Sequence, residues 1–242
     1  MRVETRISTI LDWLLNSALR ENLTYREFFK LLLASYGYNV PRGRWRGEHT
    51  GKLLKSLVEE MHRAKGTYRL HPLKLTLKRI YRRYNVYVVD CLGLPELYWI
   101  YYYASQKYGE TCIDVNGYIN EKALTSEFTE TFEARSMLEV ADMYRGHRFK
   151  PLDTAVHKKL GTPMRIEMFL DTAEAVLLRA VKRFFTPFLD GIERMLIVSD
   201  HGYDVYCEDG KYYATHIKHR PAVPLENLPS LSKLSVMLTI NC

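Results

Sequence analysis

Aspartate and histidine residues occur in this sequence at spacings that could bind metal ions. Asp153 and His157 form D-x-x-x-H, which places both side chains on one face if the segment is helical. Asp200 is followed directly by His201, and Asp90 ends an apolar run. Because a buried carboxylate without a counter-charge is costly, acids in such places need a cation or a basic partner.

Together with a late histidine, these residues make a ligand set of oxygen and nitrogen atoms without thiolates. Such a set suits zinc or manganese, and it suits a pair of ions better than one. The candidate ligands are Asp90, Asp153, His157, Asp200, His201 and His219. Each alone also has a structural explanation, since a strand-end aspartate can cap a helix and a D-x-x-x-H can be a surface pair. Their joint order along the chain is what favours a metal centre.

Two short apolar runs that position the aspartates are predicted to be buried strands. One is YNVYVVD, which ends at Asp90, and the other is MLIVSD, which ends at Asp200. Both runs are apolar on both faces, as in strands that lie between two layers of helices. Ligands of α/β sheets bind at the carboxyl ends of the strands, which is where both aspartates fall.

The rest of the chain predicts helices around these strands. Apolar residues recur at helical spacing in the N-terminal third, and again over 125–144 and 165–186. A hairpin is predicted at Asp209-Gly210, and KLSVMLTINC is predicted to be a final strand. This alternation of strands and helices predicts an α/β fold with a mainly parallel sheet.

The order of the motifs resembles the alkaline phosphatase superfamily. Its members hold two metal ions with an aspartate after the first strand, a D-x-x-x-H, a D-H pair after a strand and a late histidine. The matching segments here are VYVVDCLG, LDTAVH, LIVSDHGY and HRPAVP. The small size and the SDHGY sequence look most like the PglZ domain, found in prokaryotic phage-defence (BREX) and response-regulator proteins. The resemblance covers residues 81–242 and implies an alkaline-phosphatase-like, mainly parallel sheet flanked by helices. Residues 1–80 lie outside the resemblance, and their apolar spacing predicts a helical N-terminal region.

The resemblance implies a metal-dependent phosphohydrolase or phosphodiesterase with two divalent ions, linked to phage defence or nucleotide signalling. It implies two ligand sets: Asp153, His157 and His219 for the ion that activates water, and Asp90, Asp200 and His201 for the ion that activates the nucleophile. His216 is an alternative to His219, or else a residue on the substrate side. Lys218 and Arg220 flank His219, where they would contact a bound phosphate.

The superfamily places its nucleophile, a Ser, Thr or modified Cys, at a helix N-terminus after the first strand. Thr125 and Ser126 stand at such a start in this sequence, and we prefer Thr125. A helix N-terminus also favours a phosphate dianion. Both residues are equally well explained as N-caps of the helix. Cys91, which follows Asp90, is interpreted as a small residue packed at the strand end.

Composition limits the classes of protein to which the chain can belong. The 242 residues are 47% hydrophobic and 26% charged, which excludes a disordered protein. The 4 cysteines form no C-x-x-C pair, which excludes a zinc finger and favours a reducing compartment. No run of about 18 apolar residues occurs, and the N-terminus has the pattern of an amphipathic helix. We therefore expect a cytoplasmic protein without membrane contact.

Two other functions stay open beside hydrolysis of a phosphate ester such as a nucleotide or a nucleic acid. The formal charge of +7 permits a polyanionic partner, and basic residues are concentrated at 42–46 and 74–83, where a nucleic acid could bind. A solvated surface explains the same basic residues. Alternatively, the protein is a scaffold that recruits a partner through residues 1–80 and carries an inactive PglZ-like domain.

Overall fold

The computed structural model describes residues 6–41, 46–63, 70–191, 194–216 and 231–242. Its strands are β1 (Asn85–Val89), β2 (Ile113–Ile119), β3 (His147–Phe149), β4 (Arg194–Ser199), β5 (Asp204–Glu208), β6 (Lys211–Thr215) and β7 (Leu234–Asn241). Five of them form a sheet in the order β2-β7-β4-β1-β3, and β5 pairs with β6 in a separate hairpin. The chain is therefore a mixed α/β protein, as the sequence predicts.

The five-stranded sheet is mixed rather than parallel throughout. β1 pairs in parallel with both β3 and β4, whereas β7 is antiparallel to its two neighbours, β2 and β4. The prediction of a mainly parallel sheet is therefore correct only for the half that contains β3, β1 and β4. The reason is the final strand, which enters between β2 and β4 in the opposite direction.

Helices flank this sheet. The described helices are α1 (Arg6–Arg20), α2 (Tyr25–Ser35), α3 (Glu48–Arg63), α4 (His71–Ile80), α5 (Leu94–Tyr108), α6 (Thr125–Thr131), α7 (Met137–Met143), α8 (Pro151–Ala155), α9 (Ile166–Ala173) and α10 (Arg179–Gly191). A π turn, Val156–Leu160, continues α8, and a second π turn, Glu174–Leu178, joins α9 to α10. None of the helices described is long and apolar enough to cross a membrane.

The two faces of the sheet carry separate hydrophobic clusters, because successive strand residues point to opposite sides. Val86 and Val88 of β1 pack with the buried residues of α4, α6 and α7. Tyr87 and Val89 pack with those of α1, α2, α3, α5 and the helices from α8 to α10. The run YNVYVVD is apolar on both faces for this reason, as the sequence predicts for a strand between two helix layers.

The N-terminal helices pack directly on the sheet. α1 crosses β2 at Gly117, whose N–H donates to Ser8 Oγ at 3.0 Å. A Cβ atom on Gly117 would lie 2.6 Å from Cγ2 of Ile7, so the strand and the helix can approach this closely only at a glycine. On α5, the Tyr98 hydroxyl donates to the carbonyl of Leu23 at 2.7 Å. The larger hydrophobic cluster thus extends across residue 80, the boundary predicted from the sequence.

Other elements agree with the sequence in part. The hairpin of β5 and β6 turns at Asp209-Gly210, where both residues have positive φ, and KLSVMLTINC contains β7. The helix predicted over 165–186 is found in α9, α10 and the π turn between them. The helix predicted over 125–144 is two helices, α6 and α7, because the chain turns at Glu133 with φ of 58°. The sequence did not predict β2 or β3.

Candidate metal centre

Asp90 and Asp200 lie beside each other at the carboxyl ends of β1 and β4. The hydrogen bonds of the sheet continue past the strands, since the N–H of Asp200 donates to Val89 O at 3.3 Å and that of Asp90 donates to Phe149 O at 2.9 Å. The two aspartates are almost completely buried, with exposed fractions of 3% for Asp90 and 0% for Asp200. The register of three parallel strands therefore brings two acids together at one edge of the sheet.

Each carboxylate oxygen of Asp200 has a defined partner. Oδ1 accepts hydrogen bonds from the backbone N–H of Cys91 at 3.0 Å and of His201 at 2.8 Å. Oδ2 accepts the hydroxyl proton of Thr125 at 2.8 Å and lies 3.4 Å from Nε2 of His201. These contacts fix the carboxylate in one orientation, with Oδ2 directed toward a hydroxyl and an imidazole.

The orientation of His201 leaves one ring nitrogen available as a ligand. Its Nδ1 lies 2.8 Å from the carbonyl oxygen of Gly202, and because a carbonyl can only accept, Nδ1 carries the proton. In the neutral ring, Nε2 carries a lone pair on the side that faces Asp200, and a metal ion placed between them could bind it. Gly202 is required at this turn because a Cβ would lie 2.8 Å from the carbonyl oxygen of Leu231.

Asp90 is the least satisfied carboxylate of the group. Its Oδ2 lies 3.1 Å from Nη2 of Arg148, whereas its Oδ1 is buried and has no hydrogen-bond partner among the described residues. Burial, followed by the negative charges of Asp200 and Asp153, raises the pKa of Asp90 to about 6, and Arg148 opposes this rise. A buried carboxylate oxygen without a donor is a position that a cation would satisfy.

A second group of ligands lies on α8 and its continuation. Asp153 is on α8, and His157 follows in the π turn, where its Nε2 lies 3.2 Å from Asp153 Oδ1. His216, at the end of β6, brings its Nε2 to 2.8 Å from Nε2 of His157. The D-x-x-x-H pair thus meets a histidine that is 59 residues away in the sequence.

The two groups of ligands adjoin each other. The ring centroids of His216 and His201 are 4.9 Å apart, and those of His216 and His157 are 4.7 Å apart. Within each group the candidate ligand atoms all lie within 4.8 Å of one another. The groups are Asp90, Asp200 and His201, and Asp153, His157 and His216. Their oxygen and nitrogen atoms, and the unsatisfied Oδ1 of Asp90, could hold metal ions.

Three of the predicted site residues lie outside the described residues: Lys218, His219 and Arg220. Their roles as a ligand and as phosphate contacts remain predictions. Within the described part of the chain, the histidine that joins Asp153 and His157 is His216, which the sequence suggested as the alternative to His219.

The two predicted nucleophiles differ in their surroundings. Thr125 is the first residue of α6, is half-buried and donates its hydroxyl to Asp200, whereas Ser126 is exposed. Asn120, which is fully buried, holds the start of α6 against the site. Its Nδ2 donates to the carbonyls of Asp200 at 3.0 Å and of Leu124 at 2.8 Å.

Sequence reasoning missed two residues of this site, Arg148 and Asn120. Arg148 lies on β3 and Asn120 directly after β2, the two strands that the sequence did not predict. For Asn120 the available signal is its place directly after the run IDVNGYI, which is too common a pattern to identify it. Arg148 is the middle residue of a three-residue strand and has no such signal.

Cys91 lies in the site but is unsuited to be a nucleophile. It is completely buried, and its thiol lies 3.6 Å from the carbonyl oxygen of Gly202. Burial, and then the negative charges of Asp200, Asp153 and Asp90, raise the pKa of the thiol well above its ordinary value. The thiol therefore stays protonated, and the thiolate is the reactive form. The backbone of Cys91 has φ of 65°, which turns its N–H toward Asp200.

Comparisons of this chain with protein-family models, with curated proteins and with solved structures find no match. The relation to the PglZ domain and to the alkaline phosphatase superfamily therefore stays a prediction from the motifs.

Proposed function

We propose that this protein is a metal-dependent phosphohydrolase or phosphodiesterase of the PglZ type, with Thr125 as its nucleophile. The observation that supports this most directly is the 2.8 Å hydrogen bond from the Thr125 hydroxyl to Oδ2 of Asp200. A hydroxyl held by a carboxylate that belongs to a candidate metal group is the pairing that a nucleophile activated beside an ion needs.

Six side chains would hold two divalent ions, zinc or manganese: Asp90, Asp200 and His201 for one, and Asp153, His157 and His216 for the other. When bound, the ions would supply positive charge beside the phosphoryl group that is transferred. Arg148 carries a further permanent positive charge against Asp90. The net charge of the described ligand set is negative, since it contains three carboxylates, and this makes a pair of cations the natural complement.

The chain's own groups would act in two steps. Thr125 Oγ1 attacks phosphorus, its hydroxyl proton leaves to solvent, and the bond from phosphorus to the leaving group breaks. The hydrogen bond to Asp200 Oδ2 orients the hydroxyl for this attack. Water then attacks the phosphothreonine, the bond from phosphorus to Thr125 Oγ1 breaks, and Oγ1 takes up a proton of that water. This restores the threonine and releases phosphate, or a phosphate monoester if the substrate was a diester. Asn120 holds the start of α6 to Asp200, so the nucleophile and the carboxylate that orients its hydroxyl keep their positions.

The test is hydrolysis of p-nitrophenyl phosphate and bis-p-nitrophenyl phosphate by protein purified with zinc or manganese. We expect turnover that is abolished by a chelator and restored by the metal, and that is lost in Asp200→Asn. Turnover that survives in Asp200→Asn would contradict the proposal. Elemental analysis of the same sample gives an independent result. A metal content near zero would favour the scaffold function, whereas a content near two ions per chain would favour the enzyme.

A further inference from the structure

A second charged surface lies at the edge of the sheet opposite the candidate metal centre. β1, β3 and β4 run in the same direction, so their amino ends meet at one edge while Asp90 and Asp200 follow the carboxyl ends. Two fully described connections reach this amino-end edge: the turn Tyr81–Arg83, which leads from α4 into β1, and residues 144–146, which lead from α7 into β3.

Five exposed cationic side chains are concentrated on these connections and on the last turn of α4. We call this surface the basic edge, and it consists of Lys78, Arg79, Arg82, Arg83 and Arg145. Among the residues that the structure describes, none of the five is in an ion pair. Two exposed acids lie near this surface: Glu133, whose carboxylate is in an ion pair with Lys74 at 2.6 Å, and Asp142, whose carbonyl accepts from the N–H of Arg145.

The aromatic rings of the basic edge show that its two segments, remote in sequence, lie together. The rings of Tyr81 and Tyr144 meet edge to face with centroids 5.1 Å apart. The guanidinium of Arg82 lies 5.8 Å from the centroid of the Tyr81 ring. The hydrogen bond from Arg82, and then the charges of Arg82, Arg145 and Lys78, lower the pKa of Tyr81. Three cations from α4, from the turn that follows it and from the loop before β3 therefore act at one point.

We propose that the basic edge binds the phosphodiester backbone of a nucleic acid, as a site separate from the candidate metal centre. Four of the five cations are arginines, and a guanidinium can place two parallel N–H donors on the oxygens of one phosphate. Five exposed cations spread over α4 and two connections match a polymer with many negative charges better than they match a single small anion.

An anionic membrane would also attract these cations, but α4 is poorly suited to it. A helix that lies on a membrane inserts its apolar face between the lipids. The apolar face of α4 is already used, because Leu73 and Leu77 are completely buried against the sheet. Among the described residues of α4, Leu75 is the large apolar side chain that is exposed. The surface therefore offers charge without an inserting face, which favours a nucleic acid.

The test is fluorescence anisotropy with labelled DNA and RNA duplexes of one sequence, in a chelator so that the candidate metal centre does not contribute. The logarithm of the association constant should fall linearly with the logarithm of the salt concentration between 50 and 200 mM. The slope should reach roughly −4.5 if five phosphates are contacted. The triple variant R79Q/R82Q/R145Q should bind at least tenfold more weakly, with a slope shallower by about 2.7. The DNA and RNA arms show which polymer is preferred, and binding of either supports the proposal.

The matched control is K55Q/R179Q/R183Q, which removes three exposed cations on other helices and lowers the net charge equally. It should keep nearly all of the affinity.

A second variant, K78Q/R83Q, tests the same surface without altering the Tyr81–Arg82 contact, in case the triple variant is unstable. The proposal is overturned by no duplex binding at 50 mM salt, by equal losses in both triple variants, or by binding only to vesicles that contain phosphatidylserine. Turnover of p-nitrophenyl phosphate should be unaffected in R79Q/R82Q/R145Q, so the two functions are tested independently.

Discussion

The hydroxyl of Thr125 and Oδ2 of Asp200 are 2.8 Å apart, although the two residues are separated by 75 positions in the sequence. The other oxygen of Asp200 is held by two backbone N–H groups, so the carboxylate cannot turn away from the threonine. This contact connects the start of α6 to the carboxyl end of β4, and it makes Thr125 the hydroxyl most directly joined to the candidate ligands.

Replacing Thr125 by Ala should therefore remove the phosphorylated intermediate. We expect kcat for p-nitrophenyl phosphate to fall at least about a thousandfold, as for loss of a covalent nucleophile elsewhere. Thr125→Ser keeps the hydroxyl and should retain measurable turnover. Mass spectrometry of acid-quenched protein should find a phosphate on residue 125 in the parent and none in Thr125→Ala. A large loss in Ser126→Ala with normal turnover in Thr125→Ala would assign the nucleophile to Ser126.

His216 should be needed for metal binding at the group that contains Asp153 and His157. Loss of one of three protein ligands leaves two, so we expect His216→Ala to bind zinc at that group at least about tenfold more weakly. Isothermal titration with zinc measures this. The control is His49→Ala, an exposed histidine on α3. Equal zinc affinities in the two variants would show that His216 is not a zinc ligand.

The parts of this fold that the sequence predicted are those fixed by local pattern. β1 and β4 were found because each is a short buried apolar run that ends in an acid. β2 was missed because IDVNGYI, on the sheet edge, contains polar residues and a glycine, and β3 because three residues are too few for a pattern. The place of β7 between β2 and β4 depends on pairing across the sheet, which no local pattern reveals.

In the candidate site, too, the residues predicted from the sequence are those marked by a local pattern. Asp90, Asp200 and His201 were found because each stands at a strand end, and Asp153 and His157 because of their spacing. Arg148 and Asn120 act through strands that the sequence did not show. The resemblance to the superfamily favoured His219, in HRPAVP, over His216. The path of the β5–β6 hairpin instead brings His216 to His157.

A buried carboxylate links the N-terminal helices to the turn after His201. Glu96 on α5 is completely buried and accepts hydrogen bonds from the hydroxyls of Tyr25 on α2 and Tyr203, with its Oε2 2.9 Å from the latter. Burial raises the pKa of Glu96 from an ordinary 4.5 to about 7, although both tyrosines oppose the rise. The folded protein therefore binds this proton more tightly than the unfolded chain.

The free energy of unfolding should fall as the pH rises through this range. The contribution of Glu96 is fully present below pH 4.5 and is lost by about pH 7, because the folded state alone holds the proton between these values. A change from 4.5 to about 7 corresponds to about 3 kcal/mol. Glu96→Gln, which cannot titrate, should remove this slope and be more stable than the parent at pH 8.

Urea denaturation at pH 5, 6, 7 and 8 measures the difference between the parent and Glu96→Gln. Taking the difference removes the titration of Asp90, which both proteins share. Glu110→Gln, an exposed carboxylate, is the control and should follow the parent at every pH. Parallel stability curves for the parent and Glu96→Gln would show that Glu96 does not hold a proton at neutral pH.

The contact of α1 with β2 gives a prediction on stability alone. Ala at Gly117 would place its Cβ 2.6 Å from Cγ2 of Ile7, so the helix must move away from the strand or the side chain must leave its rotamer. We expect Gly117→Ala to lower the free energy of unfolding by about 1–3 kcal/mol. Ile7→Ala removes the obstructing methyl group, so the double variant should lose less stability than the sum of the losses in the two single variants.

Gly191→Ala is the control. A Cβ there meets no atom within 4 Å, so this substitution should change the urea midpoint little. Additive effects of the Ile7 and Gly117 substitutions would show that α1 does not cross β2 at this glycine.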